Sequence, residues 1–242
     1  MLTIRRAADR GRSSLSWLKS AHTFSFSHYF DPRHMGFGNV RVINEDEVAP
    51  GDGFATHPHR DMEIISYVLE GALEHKDSMG NGSVIRPGEV QRMSAGTGVT
   101  HSEFNHSKEE PVRFLQIWIL PDRAGHQPVY EQKHFDAAGS RGALRLVASR
   151  DGRDGSVSLN QDVDMYVTLL DEGESVVHQV RDGRSAWIQL AGGSVTVNDS
   201  LLEAGDGASI VGPAKLKFTE GHASEVIIFD QTESAGKTEK SN

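Results

Sequence analysis

At 242 residues, with 24% charged and 37% hydrophobic side chains, the chain has the composition of an ordinary soluble protein with length for one large core or two smaller ones. A net charge of −9, with one small interrupted basic cluster at Arg5, Arg6, Arg10 and Arg12 that reads as solvated surface, argues against nucleic-acid binding. The absence of cysteine removes disulfides, thiolate metal sites and thiol catalysis. No apolar run is long enough for a signal segment or a bilayer span, so a cytoplasmic protein with no membrane partner is expected.

Along the chain, helical periodicity is hard to find. Short apolar or alternating runs recur at residues 39–44, 64–69, 112–120, 163–170, 186–190, 194–197 and 225–230, rich in Val, Ile, Phe and Tyr and bounded by Gly, Pro, Asn or Asp. Strands at this spacing predict an all-β sandwich or barrel. The two halves echo each other weakly. Tyr67-Val68-Leu69-Glu70-Gly71 matches Ile188-Gln189-Leu190-Ala191-Gly192, and Arg86-Pro87-Gly88-Glu89 matches Glu203-Ala204-Gly205-Asp206. Turn formers crowd residues 125–142, which predicts one barrel over 1–134, a second over 135–231 and a disordered Ser/Lys/Glu-rich tail over 232–242. Aligning Leu69 on Leu190 sets His57 opposite His178 but His59 opposite Val180, so the second barrel is expected to have lost its metal.

Two short runs carry the chemistry. His57-Pro58-His59 and His101-Ser102-Glu103 each place metal-capable side chains two apart, the spacing that puts both on one face of a strand. Two such strands side by side converge three imidazoles and a carboxylate. That donor set suits a first-row divalent metal and leaves positions open for water, O2 or substrate. Pro58 points to an edge strand or a bulge. Glu63 shares the parity of His57 and His59 and competes with Glu103 for the fourth position. Phe114, Gln116 and Trp118 alternate on one strand, and with Phe37 and Phe54 they form a candidate lining for a planar aromatic substrate, plain core packing being the alternative. Among the remaining histidines, His22, His28 and His34 read as packing residues, and His75, His106, His126 and His134 as solvated turn residues. His178 and His222 read as remnants of a second site.

The segment Gly51-x5-His57-x-His59-x3-Glu63-x7-Gly71 resembles the first cupin motif, with one extra residue before the last glycine. Gly96-x-Gly98-x2-His101-x3-Asn105 resembles the second, with Gly96 in place of its proline. Longer stretches, among them Arg41-Val42-Ile43-Asn44, residues 56–63, residues 94–103 and Leu115-Gln116-Ile117-Trp118, resemble the pirin family, in particular bacterial pirin-like proteins with quercetin 2,3-dioxygenase activity. The resemblance implies a bicupin of two tandem jelly-roll β-barrels, with the N-terminal one holding one divalent transition metal at His57, His59, His101 and Glu103. Glu63 then becomes an outer residue that orients an imidazole N–H. Iron is the metal the resemblance favours, while the donor set also suits Ni, Cu, Mn or Zn. The implied activity is oxidative cleavage of the heterocyclic ring of a flavonol such as quercetin, with O2 consumed and carbon monoxide released. Glu103 would serve as ligand or as base, and the chain as a monomer. The competing reading is a metal-binding redox sensor or transcription coregulator without physiological turnover of flavonols.

Overall fold

The computed structural model describes residues 2–233, and these form three antiparallel-rich β-sheets with only single-turn 3-10 helices between them. A seven-stranded sheet runs in the order Val129–His134, Glu89–Ser94, Glu63–Glu70, Val112–Ile119, Val40–Val48, Leu18–His22, Gly11–Ser14. A four-stranded sheet, ordered Gly53–His59, Val99–Asn105, Leu73–Asp77, Gly82–Ile85, closes over one face of it and completes the first barrel. The second half is a single nine-stranded sheet built on two long strands, Arg184–Val197 and Ala214–Thr232. Register shifts between Leu190 and Thr196 bend these strands, so the one sheet wraps around a core that includes Val180, Ile188, Leu216, Phe218 and Ile228.

The central strands of the seven-stranded sheet are buried on both faces, which is why their sequences read as near-continuous apolar runs. On Val112–Ile119, Phe114 faces into the first barrel, while Leu115, Ile117 and Ile119 join the largest apolar cluster of the protein. That cluster spans both halves: Ile43, Ile65 and Tyr67 from the first meet Met165, Val167, Trp187, Ile227 and Phe229 from the second.

Several features depart from the sequence expectations. The runs at 186–190 and 194–197 are one bent strand, and the run at 225–230 is the end of a 19-residue strand. All four strands of the four-stranded sheet are missing from the apolar runs, because Gly53–His59, Leu73–Asp77, Gly82–Ile85 and Val99–Asn105 carry polar, charged or small residues at alternate positions. The basic cluster is not simply solvated surface. Arg5 and Arg10 are buried, with Arg5 Nε donating to the Thr23 carbonyl at 2.7 Å and Arg10 paired with Glu45 at 2.9 Å. Thr3–Arg5 pairs with Gly207–Ser209, so the chain starts in the sheet of the second half. Thr232 still belongs to a strand, opposite Arg184, and the rest of the expected tail, residues 234–242, lies outside the described residues.

Gly96 explains the departure from the cupin motif. Its φ is +44°, and a Cβ there would meet the His126 carbonyl oxygen at 2.0 Å, so neither proline nor any other side chain fits without moving the backbone. Gly96→Ala should therefore lower stability by about 2 kcal/mol or more, read as a fall in the urea midpoint. Phe229→Ala, in the core shared by the halves, should cost about 3–5 kcal/mol. Both halves should still unfold in one transition when followed by tryptophan fluorescence and far-UV circular dichroism.

Candidate metal centre

The His-x-His pair lies on Gly53–His59, which is an edge strand of the four-stranded sheet, as Pro58 requires. Its neighbour Val99–Asn105 places His101 directly across from His57. The three rings face one another with centroids 4.4 to 4.8 Å apart, and one nitrogen from each lies within 4.8 Å of the others. His57 Nδ1 donates to its neighbour's carbonyl, Ala55 O, at 2.8 Å, which leaves the Nε2 lone pair free. That Nε2 stands 3.0 Å from His101 Nε2. Two nitrogens each about 2.1 Å from a common ion, at right angles, are separated by about 3.0 Å, so the spacing fits a shared metal.

Charge favours the same role. Burial, with the neighbouring His57, holds His59 down at about 4. Burial and the surrounding imidazoles hold His101 down at about 2. Both are therefore neutral at pH 7, with lone pairs available. Glu103 is adjacent but turned differently. It clusters with His101 and His75 and is not grouped with His57 and His59, because the register slips by one residue between His101 and Glu103. Its Oε1 accepts from Ser66 Oγ at 2.8 Å and its Oε2 from Gln116 Nε2 at 2.6 Å. Burial pushes its carboxyl up to about 7, with Ser66 and Gln116 pulling against that and Asp46 adding to it. Asp46, sealed beneath, is itself raised to about 7 by burial.

Glu103 rests on a polar belt. In register across the inner face of the large sheet stand His22, Asn44, Gln116, Ser66 and Gln91. On one side the belt is flanked by Ile64, Met93 and Trp118, and on the other by Phe114, Val68 and Val48. The Trp118 ring stands 5.0 Å from His59 and 5.3 Å from Phe26. A hollow of about 520 Å3, lined by Pro58, His59, Arg60, Ser78, Gly98, Val99 and Thr100, leads from solvent to His59.

Of the remaining expected site residues, Gln116 reaches the centre and three others do not. Glu63 orients no imidazole: it accepts from Ser94 Oγ at 2.8 Å and from Asn160, tying the two halves together. Face parity with His57 and His59 fails there because the chain turns at Asp61, φ +49°, and starts a new strand. Phe37 packs on Trp187 in the core between the halves, and Phe54 on Trp17 at the far end of the first barrel. His75 was expected to be solvated, yet it is fully buried, 5.3 Å ring to ring from His101. The inward alternation of Leu73, His75 and Asp77 was the signal for it. In the second half His178 is held by Asp230 at 2.7 Å and His222 is exposed.

Titration of the metal-free protein follows from these shifts. Folded Glu103 keeps its proton up to about pH 7, above the ordinary glutamate value, so the stability this contributes is complete at low pH and is lost as pH rises through 7. His59 and His101, held low, act oppositely and cost stability as pH falls below the ordinary histidine range. Glu103→Gln cancels only the first effect. The metal-free variant should therefore be more stable than its parent at about pH 8, with the gain shrinking toward about pH 5 in urea titrations.

Comparisons with known proteins agree with this architecture. A family model described as Pirin matches residues 4–119, and one described as Quercetinase C-terminal cupin domain matches residues 146–231. The chain is 46% identical over 230 residues to the quercetin 2,3-dioxygenase of Escherichia coli K12, covering 95% of this chain and 98% of that one. The structure of the bacterial pirin YhhW from Escherichia coli in complex with nickel(II) superimposes with a TM-score of 0.91 at 45% identity, over 96% of this chain and 99% of that chain. A quercetin 2,3-dioxygenase from Acinetobacter baumannii, at 20% identity and a TM-score of 0.71, shares the fold. With both halves matched and near half of all positions identical over almost the full length, the chain belongs to the pirin family.

Proposed function

We propose that this protein is a quercetin 2,3-dioxygenase-type oxidoreductase that opens the heterocyclic ring of a flavonol with O2 and releases carbon monoxide. It does so with one divalent transition metal held by His57, His59, His101 and Glu103. The observation that carries the reading is the convergence of three imidazoles on one point, with Nδ1 of His57 engaged by the Ala55 carbonyl. Iron is our assignment within a donor set that also accepts nickel, the metal bound in the Escherichia coli pirin. When bound, the ion supplies Lewis acidity that favours the ionised flavonol 3-hydroxyl and a meeting point for substrate and O2.

The chain's own residues do the rest. Glu103 has a carboxylate oxygen within 4.8 Å of a ring nitrogen of His101, and its raised proton affinity suits it to receive the 3-hydroxyl proton at a carboxylate oxygen. Ser66 and Gln116 hold that carboxyl in place by one hydrogen bond to each oxygen. Trp118 and Phe26 offer apolar faces beside His59 for a planar ring system, and the hollow at Pro58 and Thr100 gives access from solvent. We place the protein in the cytoplasm as a monomer. No helix of the described residues is long and apolar enough to cross a membrane, and the two halves share one core within a single chain.

Elemental analysis of untagged protein, paired with O2 uptake on adding quercetin, tests the reading. About one metal per chain is expected, with quercetin-dependent O2 consumption that falls by about 10²-fold in Glu103→Ala. No bound metal after reconstitution would overturn the four-ligand site. A tightly held metal without O2 uptake would overturn the dioxygenase and favour the regulatory reading.

A further inference from the structure

Inside the four-stranded sheet, two strands set four side chains in a square on the inner face. His101 stands opposite Asp77, and Glu103 opposite His75. All four are buried from solvent. Two ring nitrogens in this square, His75 Nδ1 and His101 Nδ1, are fully buried without a hydrogen-bond partner. Buried polar atoms left unpaired are costly, so a pair of them side by side calls for an explanation.

The bonds around the square determine which nitrogen carries a proton. Asp77 accepts from the backbone amides of Met79 and Asn81 at 2.9 and 3.0 Å, and from Asn81 Nδ2. A carboxyl group with that many N–H donors is an ionised acceptor. The contact of His75 Nε2 with Asp77 Oδ2 at 3.2 Å therefore makes Nε2 the donor, and Nδ1 of neutral His75 bears a lone pair. For His101 the assignment is reversed. Its Nε2 faces His57 and is the metal-binding atom of the proposed site, so its Nδ1 must carry the proton. The square thus holds an acceptor without a donor and a donor without an acceptor, on rings whose centroids are 5.3 Å apart. Asp77 has its lone pairs engaged already, and Glu103 already receives Ser66 and Gln116.

We propose that His75 is the positioning residue of the metal ligand His101: on metal binding its Nδ1, unpaired here, accepts the His101 Nδ1–H, while Asp77 fixes its tautomer. Asp77, His75 and His101 then form a continuous carboxylate–imidazole–imidazole chain ending at the metal. Its effect is to hold the His101 ring in one orientation and to raise its basicity as a ligand. The inference rests on the metal site proposed above.

Zn2+ serves as a diamagnetic probe. In nitrogen-15-labelled, Zn2+-loaded protein, the His101 Nδ1 proton should exchange slowly and show a scalar coupling across the hydrogen bond to His75 Nδ1. Competition with a chromophoric chelator should show H75L binding Zn2+ about 10- to 100-fold more weakly. H75N, whose Oδ1 stands near the position of the ring Nδ1, should recover most of that loss, which a purely packing role would not allow. Zn2+ uptake by the parent without the coupling, or an H75L affinity equal to the parent's, would overturn the role of His75 and leave the metal site standing. Failure of the parent to take up Zn2+ at all would overturn the metal site, and the role of His75 with it.

Discussion

The burial of the seven-stranded sheet on both faces is the constraint from which the rest of the structure follows. One face must cover the inside of a barrel, while the other must be dry against the second half. An antiparallel sheet with one wet face would alternate apolar and polar residues; this one cannot, and the strand Val112–Ile119 is apolar at most of its positions. The second half therefore acts as the wall against which the first barrel is built. Glu63, bonded to Ser94 on its own sheet and to Asn160 across the boundary, pins that wall at the end of the sheet nearest the His-x-His strand.

Inside the barrel the same rigidity has an electrostatic use. A carboxylate among apolar side chains would lose its charge, and Glu103 and Asp46 both show that pressure. The polar belt of Asn44, Gln116, Ser66 and Gln91 lines up hydrogen-bonding groups in one row of the large sheet, facing Glu103, with mostly apolar side chains on either side. The imidazoles sit at the rim of this arrangement, where His57 and His59 are only partly buried while His101 is enclosed. The hollow open to solvent thus lies on the side of His59, and the enclosed side chains lie behind His101.

The meeting of His57, His59 and His101 was legible in the sequence, since strand parity sets the pair on one face, whereas the same parity did not bring Glu103 to them, because the register slips after His101. What the sequence concealed depends on long-range geometry. Glu63 has the right parity but sits beyond a turn, and Phe37 and Phe54 are aromatic residues of the right kind packed at the wrong ends. His75 lay within a charged stretch, Glu74-His75-Lys76, where the flanking charges suggested a wet turn; only pairing with Val99–Asn105 shows the middle residue facing inward. The way Arg184–Val197 runs through two predicted elements, and Ala214–Thr232 far past one, was not legible, because Gly192-Gly193 and Gly221 at the bends read as turns between separate strands.

The pairing of Thr3–Arg5 with Gly207–Ser209 sets the order of synthesis against the order of assembly. Thr3–Arg5 has no strand partner until more than 200 further residues have been made. Until then its backbone donors and acceptors, and the guanidinium of Arg6 that ends on Asp206, must be satisfied by water. The first barrel is thus able to close around its histidines before its own N-terminus is docked. That last docking step is a non-local contact, and contacts of this kind are slow to form. Docking of Thr3–Arg5 on Gly207–Ser209 turns a tandem of two barrels into a single unit in which neither half is finished alone.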